Sequence, residues 1–209
     1  MKLRHALIIM VIVILGLSPL ASASGAVVFF DNFNTENGGV GQLNYYDFAN
    51  WTVARGSVDL IGTGYYDLLP GNGLYVDLDG STNQAGILET KTTFGPGQYA
   101  VSFDLAGSQR DIYDTVTVSF GSLLQTITLG SSIPFTPYTY NVTLTAPAQL
   151  VFNEWPYYNN YNNGVGGTDV GLWLDNVKVQ TVPLPPSLLL LGSGLAGLGL
   201  LRRKWSLKK

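Results

Sequence analysis

Between Gln98 and Leu144 the side chains alternate in character with a period of two, and that alternation constrains the fold more than any other feature. Tyr99, Val101, Phe103 and Leu105 fall on one parity against Ala100, Ser102, Asp104 and Ala106. Val116, Val118 and Phe120 do the same against Thr115, Thr117 and Ser119, and Tyr138, Tyr140, Val142 and Leu144 against Thr139, Asn141, Thr143 and Thr145. A strand turns successive side chains to opposite faces, so each run reads as a half-buried strand. No stretch keeps helical periodicity for three turns. Turn residues punctuate the runs every ~8 to 12 positions: Gly71-Asn72-Gly73, Asp79-Gly80, Gly95-Pro96-Gly97, Gly107-Ser108, Gly130-Ser131 and Ala146-Pro147. About ten or eleven short strands follow for residues 24–181, an all-β chain in two packed antiparallel sheets. In the last strand Leu172 and Leu174 keep one parity while Val177 and Val179 keep the other, which predicts a β-bulge near Asp175-Asn176.

At 209 residues, 46% apolar and without cysteine, the chain makes one domain plus terminal signals. Its single histidine is His5. Beyond that residue no Ser-His-Asp triad, thiol nucleophile or His/Cys zinc site can be assembled. The remaining hydrolytic chemistry is a carboxylate pair flanking a glycosidic bond, for which Asp47, Asp67, Asp111, Asp114 and Glu154 are candidates. Residues 24–181 hold all 14 acids but only Arg55, Lys91, Arg110 and Lys178, a net charge of −10. Such a surface repels phosphate backbones, so no nucleic acid partner is expected, while Ca²⁺ and neutral glycans suit it. Arg110, Asp111 and the other isolated charges read as solvated faces, and Asp77-x-Asp79-Gly80 as a plain turn.

The two ends read as addresses. Met1 to His5 is a short basic region, Ala6 to Leu17 an unbroken apolar run, and Pro19 to Ala23 a small-residue exit ending in Ala21-Ser22-Ala23. Residues 1–23 therefore read as a secretory signal peptide cut after Ala23, which makes the Sec translocon and signal peptidase partners. The alternative, an uncleaved anchor, has too few apolar residues to span ~30 Å at ~1.5 Å each. At the other end Val182-Pro183-Leu184-Pro185-Pro186 (182–186) precedes a transmembrane helix expected over 187–201, uncharged from Leu188 to Leu201. Its leucines favour insertion, but Gly192, Gly194, Gly197 and Gly199 dilute them, and the run is only ~21 Å long. The cluster Arg202-Arg203-Lys204 stays cytoplasmic under the positive-inside rule, followed by a short cytoplasmic tail at 205–209.

In its three ordered parts, the segment 182–204 resembles the PEP-CTERM sorting signal of Gram-negative bacteria that make exopolysaccharide. The motif residues are Val182, Pro183, Leu184 and Pro185, in the Val-Pro-Leu-Pro variant, since Leu184 stands where the usual motif has Glu. Arg202, Arg203 and Lys204 form the membrane stop. The resemblance implies export across the inner membrane, transient anchoring there, and processing by an exosortase-type transpeptidase that delivers the domain to the cell surface or a biofilm matrix. An ordinary single-pass anchor remains the alternative.

Tyr75-Val76-Asp77-Leu78-Asp79-Gly80, the strand Gln98 to Gly107 and the closing segment Gly171 to Val179 resemble galactose-binding-type jelly rolls found in carbohydrate-binding modules. This implies a jelly-roll β-sandwich, and it implies a structural Ca²⁺ between the first and last strands, with Asp31 and Glu36 together with Asp169 or Asp175 as ligands. A glycan site needs exposed aromatic rings beside amides. The segment from Trp155 to Gly164 has that composition without strand alternation, so Trp155, Tyr157, Tyr158, Asn160 and Tyr161 are the candidate glycan-binding residues. Asn44-Tyr45-Tyr46 with Trp51, and Tyr65-Tyr66-Asp67, are expected to join them. Against this stands a reading in which Trp51 and Trp173 belong to the core. The expected function is a non-enzymatic, exosortase-sorted surface or matrix protein with exopolysaccharide as a ligand. A permanently anchored periplasm-facing binding domain and a glycoside hydrolase are the alternatives.

Overall fold

The computed structural model describes residues 25–110, 113–155, 169–183 and 191. The signal-peptide residues Ala21 and Ala23, the loop residues Tyr157, Tyr158, Asn160 and Tyr161, Asp111, and the sorting residues Leu184, Pro185, Arg202, Arg203 and Lys204 lie outside the described residues. Gly25–Val182 form one compact unit. Among the described residues no helix is long and apolar enough to cross a membrane.

Eleven strands make up the described part: β1 (Val27–Asp31), β2 (Trp51–Arg55), β3 (Asp59–Gly62), β4 (Leu74–Asp77), β5 (Ile87–Thr90), β6 (Gly97–Ala106), β7 (Tyr113–Phe120), β8 (Leu123–Gly130), β9 (Thr136–Leu144), β10 (Leu150–Trp155) and β11 (Trp173–Thr181). They form a jelly-roll β-sandwich of two antiparallel sheets. The six-stranded sheet runs β3-β4-β11-β6-β9 with β1 also on β11, and the five-stranded sheet runs β2-β5-β10-β7-β8.

Strand β11 organises the larger sheet. On one side it pairs with β6 along its length. On the other, Trp173 and Leu174 pair with β4, and Val177 to Gln180 with β1. The register on β6 shifts between Asp175 and Lys178, and Asn176 has φ 51°. This is the expected bulge, and its physical effect is to let Leu174, Val177 and Val179 all reach the core despite their differing parity.

Between the sheets Val101, Phe103 and Leu105 of β6 meet Val116, Val118 and Phe120 of β7 and Leu150 and Phe152 of β10, all buried. Phe152 stands edge-on to Phe103 at 5.1 Å and tilted to Trp51 at 5.9 Å. A second apolar cluster lies on the outer face of the six-stranded sheet: Ile61, Tyr75, Ala106 and Trp173, flanked by Leu43, Tyr65, Leu69 and Phe135. Strands β3 and β4 are consequently buried on both faces. The segment joining them folds back over that face, where Leu68 and Leu69 donate backbone N–H groups to the Tyr75 hydroxyl. From the β8–β9 connection Phe135 packs edge-on against Tyr75 at 5.3 Å.

Candidate functional site

The outer apolar cluster walls a cleft of about 480 Å³, lined by Leu43, Asp59, Ile61, Tyr66, Leu68, Asp77, Ser81, Gln109, Arg110 and Asp169. That volume falls within the ~300–1,000 Å³ usual for small-ligand sites. Its floor exists because Asp59 and Asp77 alternate with core-facing Leu60 and Val76, and the two acids oppose each other in the β3–β4 register.

Asp77 is a buried hub. Its Oδ1 accepts N–H bonds from Asp79 (3.1 Å) and Gly171 (3.0 Å). Its Oδ2 accepts from Trp173 Nε1 (3.2 Å) and from Arg110 Nη2 (2.6 Å), the one ion pair among the described residues. Burial pushes its carboxyl well above the usual range, against the opposing pull of Arg110 and the N–H donors. Gly171 fits here because a Cβ would come within 2.6 Å of the Asp79 nitrogen. Asp59 accepts from the backbone N–H groups of Asn44 (2.7 Å) and Ser81 (3.1 Å) and from the Ser81 hydroxyl (2.7 Å). Both carboxylates thus serve to hold the walls.

The residues facing the opening are of another kind. Tyr66 is 63% exposed. Arg110, its side chain 39% exposed, spends one nitrogen on Asp77 and has no other side-chain partner among the described residues. Asp169 presents an exposed carboxylate. Gln109 clamps the rim by donating to the carbonyls of Gly107 (3.1 Å) and Ser131 (2.7 Å). Among the described residues seven non-glycine residues have positive φ, and three of them line this cleft: Tyr66 (50°), Gln109 (57°) and Asp169 (57°). A fourth, Asn44 (50°), donates to Asp59. Bulky residues rarely adopt this region, and strain of this kind collects at ligand clamps. Ring, donor and acceptor together suit a sugar, whose C–H face stacks on an aromatic ring while its hydroxyls bridge donor and acceptor.

The expected residues scatter differently. Trp155 ends β10, with its ring 56% exposed on the outer face of the five-stranded sheet and Nε1 donating to Thr117 Oγ1 at 2.8 Å. It is therefore a strand residue, on the face opposite the cleft, because it shares the parity of Asn153 while Phe152 and Glu154 point inward. Trp51 and Tyr45 are core residues. Trp51 Nε1 donates to Asp31 Oδ2 at 2.9 Å. Tyr46 is exposed and donates to the Gly56 carbonyl. Among the described residues of the expected aromatic clusters, Tyr66 lines the cleft. Arg110 is not a solvated charge but the partner of a buried acid. Asp77 is more than a turn residue for the same reason.

The candidate calcium ligands Asp31, Glu36 and Asp175 are each hydrogen-bonded to protein donors. Asp31 Oδ1 accepts from Phe33 N, and its Oδ2 from Asn50 Nδ2 and Trp51 Nε1. Both Glu36 oxygens accept from Ala49 N, and burial raises this carboxyl. Asp175 accepts from the backbone and side chain of Asn176, and Asp169 lines the separate cleft. Among the described residues no group of three or more His, Cys, Asp or Glu is placed to hold a metal ion. These oxygens face N–H donors. Asp114 and Glu154, two of the hydrolase candidates, are buried with inward parity on β7 and β10.

No protein-family model and no curated protein matches this chain. Solved structures do. The chain is similar to the CBM22-1 xylan-binding domain of Paenibacillus barcinonensis Xyn10C, at 10% identity over 79% of this chain and 100% of that one, with a TM-score of 0.46. It is similar to the K3 adhesin domain of Lys-gingipain from Porphyromonas gingivalis, at 15% identity over 75% and 100%, with a TM-score of 0.45. A CBM35 from Paenibacillus barcinonensis gives 17% identity over 68% and 98%, with a TM-score of 0.36.

Proposed function

We propose that this chain is an exported, non-enzymatic cell-surface or matrix protein whose jelly-roll domain binds polysaccharide in the cleft of the six-stranded sheet. The observation that carries the reading is the convergence in that cleft of an exposed Tyr66 ring, the Arg110 donors and the Asp169 carboxylate, on backbone held in strained conformations. A binding role is supported over hydrolysis by the state of the floor carboxylates, whose oxygens are committed to N–H and O–H donors. Export and exosortase sorting rest on the sequence patterns of residues 1–23 and 182–204. A permanently anchored form of the same binding domain differs only in whether the tail survives, which the mass of the mature protein decides.

The test is a polysaccharide array probed with the wild type and with Tyr66→Ala, Asp169→Asn and Trp155→Ala. Tyr66→Ala weakens binding about fivefold or more, since sugar stacking on a ring is worth about 1 kcal/mol, while Trp155→Ala leaves it unchanged. Loss with Trp155→Ala alone moves the site to the other face, and no binding to any polysaccharide overturns the reading.

A further inference from the structure

From Thr115 to Asn153 the chain carries no charged residue, although residues 24–181 hold ten net negative charges. This neutral stretch includes β8 and β9, which end the five- and six-stranded sheets respectively. An edge strand presents unpaired backbone N–H and C=O groups, and proteins usually blunt such edges with a charge, a proline, a bulge or brevity. The other edges have such guards. Strand β2 carries Arg55 and a register shift between Val53 and Arg55. Strand β3 is four residues long, carries Asp59, and is covered by the Gln42 bridge to Leu60. Strand β9 contains Pro137.

Strand β8 has none of these. Its eight residues, Leu-Leu-Gln-Thr-Ile-Thr-Leu-Gly, pair with β7 in unbroken register. Inward Ile127 is buried, while outward Leu124 is 67% exposed beside exposed Thr126 and Thr128. Both threonines are held flat against the sheet by hydroxyl contacts, Thr128 to Thr115 at 2.9 Å and Thr126 to Thr117 at 3.3 Å.

We propose that β8 is the edge along which two copies of this chain join, antiparallel about a two-fold axis, so that two five-stranded sheets continue as one. The occupant is a second copy because of charge. A basic partner gains nothing from a neutral strand and is drawn to the acidic surfaces instead. A second copy is repelled by those surfaces and meets no like charge here. A strand antiparallel to its own copy also satisfies the isologous symmetry of a two-fold dimer, and it brings Leu124, Thr126 and Thr128 of both copies onto one face as cross-strand pairs.

The experiment is sedimentation of the full chain in detergent over a range of protein concentrations, comparing wild type, Thr126→Lys on β8 and Thr139→Lys on β9. Both substituted positions are exposed, and unchanged circular dichroism melts confirm that the variants fold. The wild type and Thr139→Lys sediment as dimers. Thr126→Lys sets like charges against each other and raises the dissociation constant at least about tenfold. In hydrogen exchange, β8 amides of the wild type gain protection as concentration rises, and those of Thr126→Lys do not. A wild type that stays monomeric throughout, or a dimer that survives Thr126→Lys with β8 amides unprotected, overturns the proposal. The second outcome places the contact elsewhere, the Leu/Gly-rich tail included. Glycan binding in the cleft is read separately and stands or falls without this result.

Discussion

Arg110 and Asp77 lie 33 residues apart in sequence and meet at 2.6 Å, tying the segment after β6 to the end of β4 across the rim of the cleft. The acid is buried and the cation partly exposed. Removing the cation leaves a buried carboxylate with N–H donors but no counter-charge, whereas removing both charges does not. Arg110→Ala is expected to cost about 2 kcal/mol, less than a fully buried pair because solvent already screens the guanidinium. Asp77→Asn combined with Arg110→Ala is expected to cost no more than Arg110→Ala alone. Urea denaturation of the four proteins of this cycle measures both.

Glu154 gives the fold a pH dependence of definite sign. Its Oε1 accepts from Leu172 N at 3.3 Å, and its buried Oε2 has no hydrogen-bond partner among the described residues. Burial, reinforced by the charges of Asp114, Asp77 and Asp79, pushes its carboxyl well above the ordinary 4.5. Asp175 is pushed up to about 7 by burial, with Asp104 and Asp31 adding to the effect. The folded state therefore holds protons that the unfolded chain has released, and stability falls as pH rises from about 4 through 7. Glu154→Gln removes one of these protonation sites without changing shape. It is expected to flatten the profile and to raise stability at pH 8 by at least about 1 kcal/mol. Thermal melts of both proteins between pH 4 and 8 show it.

Asp31 acts as an acceptor for three N–H groups that fix the end of β1 against Trp51. Leaving buried donors unpaired costs about 1–3 kcal/mol each, so Asp31→Ala is expected to lower the melting temperature by several degrees. On this reading EDTA and added Ca²⁺ leave the wild-type melt where it is. A melt that rises with Ca²⁺ would instead assign Asp31, Glu36 and Asp175 to a cation, since a ligand of the folded state must stabilise it.

The sandwich was legible because period two survives wherever one face is wet: β7 and β9 obey it residue by residue, and β6 does from Val101 to Leu105. The bulge at Asn176 was legible for the same reason, as a change of parity between Leu174 and Val177. The cleft was not. Strands β3 and β4 are buried on both faces, so Leu74-Tyr75-Val76-Asp77 shows no alternation, and nothing local says that Tyr75 and Asp77 lie beneath a returning loop. Arg110 is a lone charge until the fold brings it to Asp77. Trp155 departs from the loop expectation for the converse reason, since its neighbours in sequence resemble a loop while its own backbone completes a strand. The signal that could have pointed to the cleft is the pair Asp77 and Asp79 in an otherwise apolar segment, which reads from sequence as a plain turn. A turn needs no acid at the position that a strand buries.

Tyr66 separates stability from binding. A tyrosine at φ 50° carries strain of roughly 1–2 kcal/mol, which glycine avoids at an entropic cost of about 0.5–1 kcal/mol. The side chain is mostly exposed and its ring contact is edge-on to Tyr65 at 4.9 Å, so little packing is lost with it. Tyr66→Gly is therefore expected to leave the melting temperature unchanged or slightly raised while glycan binding falls about fivefold or more. A stabilised variant that no longer binds is the outcome of strain maintained for function. A destabilised variant that binds normally would mean that the conformation at Tyr66 serves the fold, and that the cleft does not use its ring. Differential scanning calorimetry and isothermal titration against the polysaccharide found on the array read the two quantities on the same sample.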